Sequence, residues 1–440
     1  MLKRAAGADA PAHDPLVLKT GRRAVVAASI GNALEWYDFS VYAFFAVYIG
    51  HNFFAQGDAA TQLLNAFLAF GLGFIVRPLG ALVLGAYGDS AGRKAALTVT
   101  ILTMAAGTAI IACAPPFSVI AFGAPLLIVC GRLLQGFSAG GEIGGASAFL
   151  IEHAPPDKRG KYASWLQASM ALSNILGALV ATSVTLLLSS RQIDAWGWRI
   201  PFIVGLAIAP VGFWLRKTLA ETPAFCAEME SARREQRTRK APLLQIVRDY
   251  PRTLLVGIGF STLWAVCIYT LVIFMPVYVQ RTLHFEPRQA FLASLIGNCF
   301  MAGACVFSGA LSDRLGRRVV AMCGALLMLV GVYPLLAWLG ASHSTATLVL
   351  VQTAFCLMVA IFTGVAPSIL PELFPTRVRS TGMSLSYNTA VTLFGGFAPA
   401  ILTWLTNSTN NTLAPAVYVM AAAVLALVSI ACLPAQAKPV

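Results

Sequence analysis

Long stretches of this chain carry no charge. Ala95–Gly131, Tyr162–Ser190, Thr253–Gln280, Gln289–Ser312, Val319–Pro371 and Ser380–Ala437 contain no Asp, Glu, Lys or Arg. A helix that crosses a bilayer needs roughly 20 apolar residues, so the longer runs must fold back on themselves. Turn-forming clusters mark the breaks: Pro115-Pro116, Gly340-Ala341-Ser342-His343-Ser344 and Thr406-Asn407-Ser408-Thr409-Asn410-Asn411. The pattern predicts twelve spans, near 23–50, 61–88, 95–113, 122–152, 161–188, 199–216, 252–279, 287–312, 318–339, 346–370, 380–404 and 412–434.

Composition agrees with lipid as the solvent. Hydrophobic residues make up 58% of the chain and charged residues 11%, against about 25% charged in a soluble protein. The net charge of +13 would suit nucleic acid, but its distribution does not. Of 31 Lys and Arg, 25 fall on one side of the twelve-span arrangement, in the N-terminal tail, the 217–251 loop, the short loops on that side and the C-terminus. The positive-inside rule makes that side cytoplasmic. The domains expected are a cytoplasmic tail at 1–22, a six-helix lobe at 23–216, a basic linker at 217–251, a second lobe at 252–434 and a tail at 435–440. The linker cluster Arg233-Arg234-Glu235-Gln236-Arg237-Thr238-Arg239-Lys240 reads as a topology signal between lobes. Nine scattered cysteines without CxxC spacing read as small buried apolar residues, with neither a metal site nor a disulfide frame. No nucleophile–base spacing, phosphate loop or metal cluster points to an enzyme.

The chain repeats itself at half its length. Gly85-Ala86-Tyr87-Gly88-Asp89-Ser90-Ala91-Gly92-Arg93-Lys94 recurs at Gly309-Ala310-Leu311-Ser312-Asp313-Arg314-Leu315-Gly316-Arg317-Arg318, with Asp89 and Asp313 224 positions apart. Glu152 with Arg159 recurs as Glu372 with Arg379, offset by 220. Two related halves of membrane helices are the signature of a two-lobed secondary transporter. Each Asp sits at a cytoplasmic helix end, where it can accept hydrogen bonds from a neighbouring helix N-terminus. The expected cytoplasmic gate is therefore Asp89, Arg93, Lys94, Glu152 and Arg159 in one half, with Asp313, Arg317, Arg318, Glu372 and Arg379 in the other.

Five ionisable residues lie inside the first-half spans, where charge is expensive and marks candidate function. At about 1.5 Å per residue, Glu35 and Asp38 lie about 18 and 22 Å above the start of span 1. By the same rise Arg77 lies about 18 Å above Asp89, and Glu142 about 15 Å above Glu152. These four depths agree near the midplane, and Arg132 falls higher, in the outer third of span 4. Arg77 offers a permanent planar cation suited to carboxylates. Glu35, Asp38 and Glu142, desolvated, favour their protonated forms and can carry a proton. The competing reading is a fixed ion-pair network that ties helices together. Opposite them, Tyr269, Thr270, Asn298, Tyr387 and Asn388 can complete a cavity or serve as interhelical hydrogen bonds. Gly136, Gly140 and Gly144 in span 4 form a small-residue packing face.

Several segments together resemble the major facilitator superfamily and, within it, the metabolite–proton symporters. They are Gly31-Asn32-Ala33-Leu34-Glu35-Trp36-Tyr37-Asp38-Phe39, Arg77-Pro78-Leu79-Gly80, Gly131-Arg132-Leu133-Leu134-Gln135-Gly136, Gly197-Trp198-Arg199-Ile200-Pro201-Phe202, Glu221-Thr222-Pro223 and Glu372-Leu373-Phe374-Pro375-Thr376-Arg377-Val378-Arg379. Gly85–Asp89 and Leu133–Gly140 look most like citrate–proton symporters, while Leu166-Gln167 and Gly141 depart from that pattern. The resemblance implies an all-α membrane protein that imports a carboxylate with protons across a bacterial inner membrane. The substrate contacts expected are Asn32, Arg77, Arg132, Gln135, Tyr269, Tyr387 and Asn388. The resemblance also implies a monomer among lipids that needs no cofactor. Carriers of 2-oxoglutarate, shikimate or betaine are similar, and a transporter-like sensor is the rival from another class.

Overall fold

The structure is a computed structural model that describes residues 29, 32–33, 35–91, 93–140, 143, 146–147, 150–151, 154–207, 210, 242–375 and 378–433. The two tails, most of the 217–251 linker, Cys226, Glu142 and Glu152 lie outside the described residues. Side chains at Asp89, Arg93 and Lys94 are likewise not described, although their backbone is helical.

Helices and their connections make up the described residues, with no strand among them. Among the described residues, eight helices are long and apolar enough to cross a membrane; they correspond to spans 2, 5 and 7–12. Thr98–Cys113, Gly123–Ala139 and Gly197–Ala207 are shorter apolar helices at spans 3, 4 and 6. Span 1 is helical from 35 to 53 apart from a turn at Phe45.

Several elements differ from the sequence pattern. Span 2 is two helices, Ala59–Ile75 and Arg77–Ala91. Pro78 has no N–H to continue the first helix, so the chain restarts there. Spans 7 and 11 each contain a π segment, Ile268–Phe274 and Val391–Gly396. The expected turns at Gly340–Ser344 and Thr406–Asn411 begin later. The helices run on to Ser342 and Thr409, and reversal waits for the left-handed residues His343 and Asn410. Polar residues at a membrane surface do not end a helix by themselves; a change in the sign of φ does.

The cysteines also depart from expectation. Cys267, Cys305 and Cys356 are buried, but Cys113, Cys130, Cys299, Cys323 and Cys432 are exposed. A thiol is apolar enough to face lipid as well as protein.

Two seams position the site. Spans 2 and 4 meet backbone to backbone, because a Cβ at Gly136 would overlap the Gly73 carbonyl oxygen and one at Gly140 would overlap that of Arg77. The small-residue face read from the sequence therefore holds the helix that starts at Arg77. Between halves, Arg159–Leu187 (span 5) packs along Pro287–Leu315 (span 8). Each has 29 residues, about 44 Å of helix, close to the full thickness of a bilayer with its headgroups.

Candidate functional site

Glu35 and Phe39 lie one helical turn apart on span 1 and share a face. Arg77 begins the second half of span 2 and is buried against that face. Its Nη2 pairs with Glu35 Oε1. The guanidinium stacks 5.2 Å from the Phe39 ring centre and 5.1 Å from that of Phe74. Side-chain exposures of 1% for Arg77 and 6% for Glu35 mean that neither charge relies on water. Phe74 also lies edge-on to Tyr269, 5.3 Å between centres. The hydroxyls of Tyr269 and Tyr387 are within electrostatic reach of the guanidinium. Tyr269 is also in hydrogen-bonding range of the Arg77 guanidinium, whereas the Tyr387 hydroxyl makes no hydrogen bond. A buried polar group left without a partner costs about 1–3 kcal/mol, so the Tyr387 hydroxyl beside a guanidinium with donors to spare marks a position built to receive a polar partner.

The second arginine belongs to the same layer. Arg132 is fully buried, with its guanidinium 4.7, 4.6 and 4.6 Å from the Phe39, Tyr42 and Phe70 ring centres. It therefore shares the Phe39 ring with Arg77, where residue counting put it in a higher layer. The helical rise locates a Cα, and a long side chain shifts its charged end by a further turn or more. Arg132 Nη1 donates to Gln135 Oε1 (2.7 Å), and Gln135 Nε2 donates to Thr108 Oγ1 (2.9 Å). Thr108 in turn donates to Asp38 Oδ2. The two carboxylates are thus held differently, Glu35 by a cation in contact and Asp38 through a hydroxyl.

The second half supplies the opposite wall. Tyr269 sits on the π segment of span 7 and lies 5.8 Å from the Trp36 ring. Tyr387 lies edge-on to Trp264, 4.7 Å between centres. Trp264 Nε1 donates to Gln167 Oε1 across the halves (3.3 Å). Asn388 Nδ2 donates to the Gly140 carbonyl (3.2 Å), and Thr392 Oγ1 to that of Phe74 (3.0 Å). Asn32 is spent within its own half, on the Leu166 carbonyl (2.8 Å) and Ser169 Oγ (2.9 Å). Thr270 and Asn298 are also buried, and Asn298 Nδ2 returns to the Ser294 carbonyl on its own helix (2.8 Å).

Thr108, Phe74 and Trp264 were not singled out from the sequence, and Trp36, Phe39 and Gln167 entered only as members of motifs, without a role at the site. The aromatics beside Glu35 and Arg77 could have been found by spacing. Thr108, one of four threonines in an apolar run, carried no such mark.

At the cytoplasmic end Asp313 accepts from the Gly160 and Lys161 amides at 2.7 and 2.9 Å. The carboxylate that ends span 8 therefore caps the start of span 5 in the other half. Arg317 pairs with Glu372 within the second half. Arg318 donates to the Ala431 and Leu433 carbonyls at 3.0 and 3.3 Å. Arg159 and Arg379 start spans 5 and 11. Glu142 and Glu152, and the side chains of Asp89, Arg93 and Lys94, are outside what the structure describes.

The profile of the sugar (and other) transporter family matches residues 24–242 and 213–438. A citrate-proton symporter of Salmonella typhi is 36% identical, with 96% of each chain covered. A proline/betaine transporter of Escherichia coli (strain K12) is also 36% identical, over 98% of this chain and 87% of its own. Among solved structures, a D-xylose-proton symporter superposes with a TM-score of 0.73, covering 92% of this chain and 97% of its own at 18% identity. A partially occluded inward-open form of the xylose transporter XylE from E. coli gives 0.76 at 18% identity, covering 94% and 98%.

Proposed function

This chain belongs to the sugar (and other) transporter family, with the twelve-helix, two-lobed fold of the major facilitator superfamily, and on that premise we propose that it imports a carboxylate metabolite, citrate or a related tricarboxylate, together with protons. The carrying observation is Arg77, a buried guanidinium that meets Glu35 and Tyr269 and has the unpartnered Tyr387 hydroxyl within its electrostatic reach. A carboxylate satisfies such a planar fork two bonds at a time. Arg132, Gln135, Tyr269, Tyr387 and Asn388 complete the substrate contacts, with Asn32 holding spans 1 and 5 in place. Glu35, Asp38 and Glu142 bind the proton. Substrate arrival at Arg77 competes with Glu35 for the cation, so the released carboxylate gains a reason to protonate. That competition couples the two cargoes.

Alternating access follows from lobes at 23–216 and 252–434 rocking about the site. The cytoplasmic gate comprises Asp313 on Gly160 and Lys161, Arg317 on Glu372, and the corresponding Asp89, Arg93, Lys94, Glu152, Arg159, Arg318 and Arg379. The distribution of Lys and Arg supports cytoplasmic termini in a bacterial inner membrane. The protein works as a monomer among lipids.

A second reading is a betaine-type zwitterion, favoured by the equal identity to the proline/betaine transporter and by the Trp36, Tyr269, Trp264 and Tyr387 rings at the interlobe wall. Aromatic faces suit a quaternary ammonium. Competition of labelled citrate uptake by a panel of acids and betaines separates the two. Displacement by tricarboxylates supports the first, and displacement by betaines alone sinks it.

A further inference from the structure

The chain of hydrogen bonds from Arg132 to Asp38 has a direction that chemistry fixes. A guanidinium only donates, so Gln135 must turn its amide oxygen to Arg132 and its NH2 to Thr108. The observed contacts are arranged in this way, at 2.7 and 2.9 Å. One lone pair of Thr108 Oγ1 is thereby occupied. Its single hydrogen has two acceptors within reach, Asp38 Oδ2 and the Met104 carbonyl, the latter at 3.1 Å. A hydroxyl has one hydrogen and two lone pairs, so two complete arrangements exist. With Asp38 ionised, Thr108 donates to Oδ2. With Asp38 protonated, the carboxyl hydrogen is donated to the free lone pair of Thr108, whose own hydrogen swings to the Met104 carbonyl.

We propose that Thr108 is a hydroxyl rotor, a positioning residue that lets Asp38 bind and release a proton inside the membrane while every member of its network stays hydrogen-bonded. The proposal rests on the proton-coupled reading above. The proton arrives from the cavity water when the site is open outward and leaves by the same carboxyl when it opens inward. Only the Asp38 O–H bond forms and breaks; the rest is rotation of hydrogen bonds. The surroundings suit that role. Arg132 faces Asp38 from span 4, Tyr37 lies beside it on span 1, and span 6 presents Gly205, which is too small to intrude. The Glu35–Arg77 pair forms the neighbouring charged contact on spans 1 and 2. Among the described ion pairs none joins Asp38 directly to a cation. Glu35, by contrast, touches Arg77 and can change protonation only when that pair opens.

The test is an infrared titration of the full-length protein in bilayers, reading the protonated-carboxyl band that Asp38→Asn removes. Thr108→Val keeps the shape and deletes the rotor. The hydrogen bond to the ionised form is the stronger of the two, so the band should persist to a pH higher by about one unit, a tenfold change in proton affinity. Thr108→Ser should rescue the wild-type midpoint. Thr108→Ala gives the same direction should the valine variant not fold. An unmoved midpoint in the valine and alanine variants, or no Asp38-dependent band between pH 5 and 9 (about the range a buried carboxyl reaches), overturns the proposal. Citrate and panel uptake measured on the same wild-type samples is independent. A shifted band without uptake of any carboxylate supports the rotor and sinks the symport reading alone.

Discussion

Replacing Arg77 by Ala strands Glu35 in a place that excludes water, since the two side chains are 1% and 6% exposed. Breaking a buried pair from one side typically costs about 3–5 kcal/mol. The carboxyl has an escape, which is to take up a proton. From the usual Glu midpoint near 4.3, protonation at pH 7 costs about 3.7 kcal/mol and falls by about 1.4 kcal/mol for each unit of acidification. The two routes give similar totals at neutral pH and different totals at pH 5. The penalty of Arg77→Ala, apart from its lost ring contacts, should therefore shrink by about 2.7 kcal/mol between pH 7 and pH 5. Adding Glu35→Gln should remove the pH dependence, since no charge is then left to strand. Uptake should stay abolished in both variants, because the fork that receives the carboxylate is gone. The assay is thermal unfolding in lipid nanodiscs at the two pH values, alongside uptake by the same preparations. A penalty equal at pH 5 and pH 7, unrelieved by the second substitution, would refute the isolated-pair reasoning. Normal uptake by Arg77→Ala would remove Arg77 from the site.

Gly136→Ala should lower the yield of folded protein by forcing spans 2 and 4 apart, at a cost of at least about 1–3 kcal/mol. Gly303→Ala, with open space around it, should leave melting unchanged, and equal behaviour of the two would contradict the close-approach argument. Asp313→Asn weakens the cap that joins span 8 to span 5, worth about 1 kcal/mol. Interlobe distances from spin labels at the cytoplasmic ends should then shift toward the open population, and an unchanged distribution would show that the cap is not a latch. Glu142→Gln should reduce proton-driven accumulation more than equilibrium exchange, and equal loss of both would argue against a coupling role.

How much of this was legible in the sequence depended on the kind of constraint. Buried charge is so costly in lipid that Glu35, Asp38 and Arg77 declare themselves, and helical rise alone put them at one depth. The same rise misplaced Arg132, because a guanidinium at the end of a long side chain is located by the rings it stacks on. Half-chain repetition pointed to Asp313, but which helix end it caps needed coordinates. Thr108 was invisible because a threonine in an apolar helix ordinarily returns its hydroxyl to the carbonyl four residues back. It does so here, at Met104, and only the facing Asp38 and Gln135 give that hydroxyl a second use. The π segments in spans 7 and 11 did leave a signal, Pro276 just after the first and Gly395-Gly396 at the end of the second with Pro399 beyond it. The restart at Arg77 left one too, in Pro78, which the apolar run concealed.

The central claim is that a proton gradient drives a carboxylate through a buried guanidinium site. Its most direct measurement is uptake by purified protein in proteoliposomes with an imposed pH gradient, acid outside, offered labelled citrate and a panel of other carboxylates and betaines. Accumulation of a carboxylate above its outside concentration, abolished by an uncoupler and by Arg77→Ala, is the predicted result. Equilibration indifferent to the gradient, or accumulation of betaines with no carboxylate moved, would contradict it.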